Sequence, residues 1–193
     1  MINEELDEQK KVTIKSNNYE IELFEITPQK TEINYSRYPK YEGQFLINKK
    51  EAGVPGKIFQ ISEVNEVILV TWNIWITDKN VKFVTDPEHQ KALKGFDGTR
   101  NIWAFNKKGE KLWEIEGAVE SIVRQRVEKE GYPRERFYKE DGITIRGYDT
   151  YTGYGIGKLG TEHEGKIFVG TSGCFDGELN IKTGKVSNWI QGK

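Results

Sequence analysis

Apolar and polar residues in this chain alternate far more often than they recur at helical spacing. In Tyr19-Glu20-Ile21-Glu22-Leu23 the apolar side chains alternate with glutamates, the pattern of a strand whose sheet has one wet face. The alternation slips at Leu23-Phe24, which predicts a bulge. Thr27-Pro28-Gln29-Lys30 then turns the chain into residues 31–36 as a hairpin, and residues 38–43 read as a loop. Residues 57–64 and 66–77 follow as strands. In the second, Ile68, Val70, Trp72, Ile74 and Ile76 share one face, and Leu69, Thr71, Asn73 and Trp75 the other. That distribution predicts a central strand covered on both sides. Residues 1–11 read as a frayed or weakly helical leader, with strand beginning at Val12.

Helical spacing occurs in two places. Asp86 is placed to cap a short helix that has Pro87 at its first position and ends by Gly95. Gly95-Phe96-Asp97-Gly98 is turn chemistry. Val119, Ile122, Val123 and Val127 recur on one face between Gly117 and Gly131, with Pro133 just beyond, and predict a helix of three to four turns. From Gly142 to Gly177 lie ten of the chain's 20 glycines, so turns and loops dominate there. Residues 143–146 and 166–171 are the strands within that stretch.

The residues from Asn101 to Ile115, NIWAFNKKGEKLWEI, form a strand, a polar turn closed by Gly109, and a return strand carrying Trp113. A second copy, GELNIKTGKVSNWI, occupies residues 177–190. Each copy follows another strand, so the unit reads as three strands of an up-and-down sheet used twice. IWAFNKKGEKLW and LNIKTGKVSNW resemble the outer hairpins of quinoprotein-type β-propeller repeats, in which an Asp/Asn-x-x-Gly turn joins two strands and the second ends in Trp. A closed propeller takes at least about four blades. Two copies in 193 residues do not supply them, and no quinone site is present to carry over. The pattern also resembles small bacterial β proteins, some of them similar to immunity proteins that neutralise a paired toxin. That resemblance implies a protein partner.

Composition narrows the chemistry. Hydrophobic residues make up 36% and aromatic residues 12%, which suits cross-strand aromatic packing. The net charge of −1 gives no global field toward nucleic acid or an anionic membrane. The basic residues Arg124, Arg126, Arg134, Arg136 and Lys139 are interleaved with Glu128, Glu130, Glu135 and Glu140, which nearly cancel them. Cys174 is the single cysteine, so neither an internal disulfide nor a cysteine zinc cluster can form. His89, His163 and Cys174 are not at ligand spacing, and a Cys174–His163 nucleophile and base has no surrounding motif. Gly153-Tyr154-Gly155-Ile156-Gly157 resembles a phosphate loop only in its glycine count and reads instead as a mobile loop. No carboxylate pair, from Glu4-Glu5 and Asp7-Glu8 to Glu140-Asp141 and Glu162/Glu164, is flanked by apolar residues that would raise one pKa for acid/base work.

These readings converge on one domain over residues 1–193, mainly β. Its antiparallel sheets are arranged as an open propeller-like assembly or a two-sheet sandwich, with one or two short helices. The expected function is non-enzymatic protein binding in the cytoplasm, as an immunity-type inhibitor that occludes a toxin. No cofactor, metal, nucleic acid or membrane is expected. Tyr148, Asp149, Tyr151 and Tyr154 are the candidate partner-binding residues, because tyrosines on glycine-rich loops give large contact area at low entropic cost. The alternative is a glycan or small-metabolite module, which needs a concave pocket or exposed faces among Trp72, Trp75, Trp103, Trp113 and Trp189.

Overall fold

A computed structural model describes residues 10–16, 19–26, 41–73, 94–133, 135, 151–157, 164–171 and 175–191. The protein is mainly β, with antiparallel ladders joining its strands. The chain divides into two compact units, one made of residues 1–81 and 103–112, the other of residues 82–102 and 113–193.

The first unit is built on β1 (Lys11–Ser16), β2 (Tyr19–Glu25), β3 (Tyr41–Ile47), β4 (Lys50–Gly53), β5 (Lys57–Val64) and β6 (Val67–Asn73). The hairpin of β7 (Ile102–Phe105) and β8 (Lys111–Glu114) completes a sheet of order β1-β2-β3-β5-β6-β7-β8, with β4 alongside β3. The unit boundary runs through this hairpin. As anticipated, β6 is interior to the sheet. Ile68, Leu69, Val70, Thr71 and Trp72 are all buried, so both of its faces are covered. Phe45 meets Phe105 edge-on at 5.4 Å and Trp72 meets Trp103 at 5.8 Å, geometries that suit the aromatic quadrupole.

The expected bulge in β2 is present, as a register shift against β3 between Leu23 and Glu25. Ile21 and Leu23 are fully buried, but Glu22 does not face water: it is 6% exposed and paired with Lys11 from β1. Alternation marks which side of the pleat a residue occupies, and here the second side is covered too. Residues 41–43 are strand rather than loop, because Gly43 has no side chain to obstruct its neighbours. A Cβ there would lie 2.3 Å from the Gly56 carbonyl oxygen, and the Gly43 carbonyl accepts from the Val54 N–H at 2.9 Å.

Two tight hairpins have left-handed residues at both central positions, Asn48-Lys49 (φ 50 and 67) and Asn65-Glu66 (φ 50 and 66). These are the signs of the primed turn that matches strand twist, with Lys49 and Glu66 where glycine would be the unstrained choice. Asn48 fastens this end of the sheet. Its side chain accepts from the Glu20 N–H at 2.8 Å and donates to the Lys107 carbonyl at 2.8 Å. Lys107 in turn reaches Glu66 at 3.2 Å.

The second unit holds a four-stranded meander, β9 (Tyr151–Ile156), β10 (Ile167–Thr171), β11 (Phe175–Leu179) and β12 (Val186–Gln191), in which each strand neighbours the next. The glycine-rich residues 151–156 are thus a strand, not a mobile loop. Gly153 and Gly155 pair with Gly170 and Phe168 in register. The predicted long helix is α1 (Ala118–Ile122), continued in π-winding over Val123–Lys129. Its own Ala118, Val119 and Ile122 are buried. Ahead of it, Asp97 caps the 3-10 turn Gly98–Arg100, its Oδ1 accepting from the Thr99 N–H at 2.9 Å.

The two repeat turns share their chemistry. Asn106 Oδ1 accepts from the Lys108 N–H at 2.8 Å, and Asn180 Oδ1 from the Lys182 N–H at 3.0 Å. Gly109 (φ 79) and Gly184 (φ 71) close the turns by donating to the carbonyls of Asn106 and Asn180. The second turn is one residue longer, since Asn180 pairs with Lys185 where Asn106 pairs with Glu110. The predicted helix capped by Asp86 and the hairpin over residues 27–36 lie outside the described residues.

Candidate functional site

The candidate tyrosines belong to β9 and the residues before it. Tyr148 and Asp149 lie outside the described residues, as do His89, His163 and Cys174. Tyr151 is 2% exposed and has no surface to offer a partner. Its side chain is committed inside the second unit, for three reasons that can be traced to named groups. The hydroxyl donates to the Glu116 carbonyl at 2.7 Å. The Asn101 carboxamide grips the backbone, Nδ2 donating to the Tyr151 carbonyl at 2.8 Å and Oδ1 accepting from its N–H at 2.9 Å. The ring stacks on Trp189, centroids 6.3 Å apart. Burial, followed by the nearby negative charge of Glu116, pushes the phenol well above its ordinary pKa, so the hydroxyl stays a donor at neutral pH.

Beyond this anchor the strand becomes accessible. Tyr154 is half-buried and Ile156 is 56% exposed. In register they lie opposite Val169 and Ile167, both buried, so the two side chains extend the apolar face of the meander to its edge. Thr152 ties β9 to β10, its hydroxyl donating to the Gly170 carbonyl at 3.2 Å. The result is an apolar edge held in place by a buried tyrosine one turn of the pleat away.

A polar network surrounds the anchor. The Arg124 guanidinium donates to both carboxylate oxygens of Glu116, whose side chain is 11% exposed. Burial alone would raise the Glu116 carboxyl, but the Arg124 hydrogen bonds and the Val186 N–H outweigh it and hold the group below its ordinary value. Buried Ser121 donates to the Val186 carbonyl at 2.7 Å and accepts from the Trp189 indole at 2.9 Å. These bonds fasten β12 to the helix and to Glu116. None of Asn101, Glu116, Ser121 or Gln125 was singled out from sequence. Their partners on β9 and β12 lie tens of residues away, and no local spacing signals such contacts. No group of three or more His, Cys, Asp or Glu able to hold a metal ion occurs among the described residues.

Trp75 lies outside the described residues, and the described tryptophans are used inside. Trp72, Trp103 and Trp189 are buried, and Trp113 is partly buried with its indole N–H donating to the Ile181 carbonyl at 3.0 Å. No helix among the described residues is long and apolar enough to cross a membrane.

No family model and no curated protein matches the sequence. Among solved structures the chain is similar to the crystal structure of the computationally designed Ika8 protein, at 9% identity and a TM-score of 0.44. The match covers 94% of this chain and 36% of that one, and a likeness this loose carries no argument about function.

Proposed function

We propose that this chain is a non-enzymatic protein-binding protein, most concretely an immunity-type inhibitor that covers the working cleft of a partner toxin. The observation that supports the reading is the edge of β9. Tyr154 and exposed Ile156 stand beside a Tyr151 that is fixed from three sides, so contact area is offered on a strand whose position costs little further ordering. Tyr148 and Asp149, next to the same anchor in sequence, complete the proposed contact surface, with charged residues at the rim for selectivity. The glycan reading gains nothing from the described tryptophans, whose rings are spent on the core.

The test is co-expression with the product of the neighbouring gene, scored by survival of the host and by co-elution on gel filtration. Survival together with a complex that Tyr154→Ala weakens supports the proposal. Absence of both survival and complex refutes the toxin reading. A complex indifferent to Tyr154→Ala and Ile156→Ser would move the contact surface away from β9.

A further inference from the structure

Among the described residues, the outer edge of β12 is met by side chains instead of by another strand. At Val186, the N–H donates to Glu116 Oε2 at 3.4 Å, and the carbonyl accepts from Ser121 at 2.7 Å and from Arg124 at 3.3 Å. At Trp189, the N–H donates to Gln125 Oε1 at 2.9 Å, and the carbonyl accepts from Gln125 Nε2 at 3.5 Å and from Arg126. The Gln125 carboxamide therefore does for Trp189 what a peptide group of a neighbouring strand would do, taking one donor and one acceptor together. Asn101 does the same for Tyr151 on β9, at the opposite edge of the four-stranded sheet.

Two local features make the arrangement on β12 possible. A register shift between Asp176 and Glu178, with Asn188 left-handed at φ 53, places a bulge in β12, so Val186 and Trp189 both present backbone groups outward. The π-winding of Val123–Lys129 carries the consecutive residues Arg124, Gln125 and Arg126 toward that edge, where each donates to a β12 carbonyl. A bare edge of this kind is a template for strand addition, and sheets without a cover are prone to pair with copies of themselves.

We infer that Gln125 and Asn101 are edge guards: by occupying the backbone groups of Trp189 and Tyr151, they keep the four-stranded sheet from adding a strand of a second copy of this chain. The guard is a feature of the second unit alone and does not depend on what the protein binds.

The test compares wild type, Gln125→Ala, Asn101→Ala and the double variant by sedimentation velocity over a concentration series. Thermal unfolding is measured in parallel. The double variant is expected to self-associate at about tenfold lower concentration than wild type or less. Its Trp189 and Tyr151 amides should exchange quickly in the dilute protein and become protected again in the associated form. Gln125→Glu, which keeps the acceptor for the Trp189 N–H and loses the donor, should fall between wild type and Gln125→Ala. Variants that lose thermal stability yet sediment as wild type at every concentration overturn the inference, since the amides would then only fasten the helix. If Asn101→Ala fails to fold, the Gln125 pair decides. Equal association of wild type, Gln125→Ala and Gln125→Glu refutes the role at β12.

Discussion

Gly177 is the position at which the packing of the second unit can be tested most sharply. It lies on β11 opposite the β12 bulge, and the Trp189 indole lies over it on the way to Tyr151. A Cβ added at Gly177 would fall 2.5 Å from Val186 Cγ1 and 2.9 Å from Trp189 Cδ2 and Cε3. Neither neighbour yields easily. Val186 is β-branched and buried, and the indole is held by its bond to Ser121 and by its stack on Tyr151. Overpacking of this kind costs about 1–3 kcal/mol. Replacing glycine restricts the unfolded chain and returns about 0.4–1 kcal/mol. Gly177→Ala is therefore expected to destabilise by about 1–2 kcal/mol, combining the two effects. Gly155→Ala is the matched control, a glycine in the same sheet whose added Cβ meets nothing within 4 Å. It should be neutral or stabilising by up to about 1 kcal/mol. Urea unfolding followed by tryptophan fluorescence measures both. Given a slope of about 2 kcal/mol/M, the two midpoints should differ by about 0.5–1.5 M. Equal midpoints, or a higher one for Gly177→Ala, would refute the placement of Trp189 over β11.

Three further outcomes follow from the same geometry. Tyr151→Phe removes a buried hydroxyl and strands the Glu116 carbonyl, and should cost about 1–2 kcal/mol in the same urea assay. Because the folded phenol titrates above its unfolded value, its contribution is complete below the unfolded pKa of about 10 and is lost as pH rises through the folded value, so alkaline unfolding should be shallower in Tyr151→Phe than in wild type. Glu116 has the opposite sign: its carboxyl is depressed in the fold, so its contribution is present above the ordinary carboxylate pKa and disappears as pH falls through the folded value. Glu116→Gln should unfold at lower urea at neutral pH and lose part of the acid-side slope, which a pH series of urea midpoints would show. In the first unit, Gly43→Ala sets a Cβ against the Gly56 and Val54 carbonyls at 2.3 and 2.6 Å, and should destabilise by about 2 kcal/mol or more, read from far-UV circular dichroism.

The elements that were legible in the sequence are those whose signal is local. The covered faces of β6, the bulge in β2 and the paired Asn…Gly turns each depend on residues within a few positions of one another. β3 and β4 were missed because what makes residues 41–43 a strand is the approach of Val54 and Gly56, which no window around Gly43 displays. The glycine-rich β9 was read as a loop for a similar reason, since its order comes from Asn101, fifty residues earlier, and from the ladder with β10. Tyr151 looked like a contact residue because sequence shows that a tyrosine is present and not which way it points. The network of Glu116, Ser121, Arg124 and Gln125 combines residue types that elsewhere mark a solvated helix face. Here β12 turns that face inward.

The division of the first unit into residues 1–81 and 103–112 has a consequence for the order of synthesis. When a ribosome has finished β6, the strand has β5 on one side, while its other neighbour, β7, has not been made. Residues 74–101 must be translated first. At about 5–20 residues per second the interval is on the order of seconds, long compared with the microseconds in which a hairpin closes. Through that interval β6 lacks its β7 partner and the Trp72 ring lacks Trp103. A slow codon tract between positions 74 and 101 would lengthen that interval and lower the yield of native protein without altering a single amino acid.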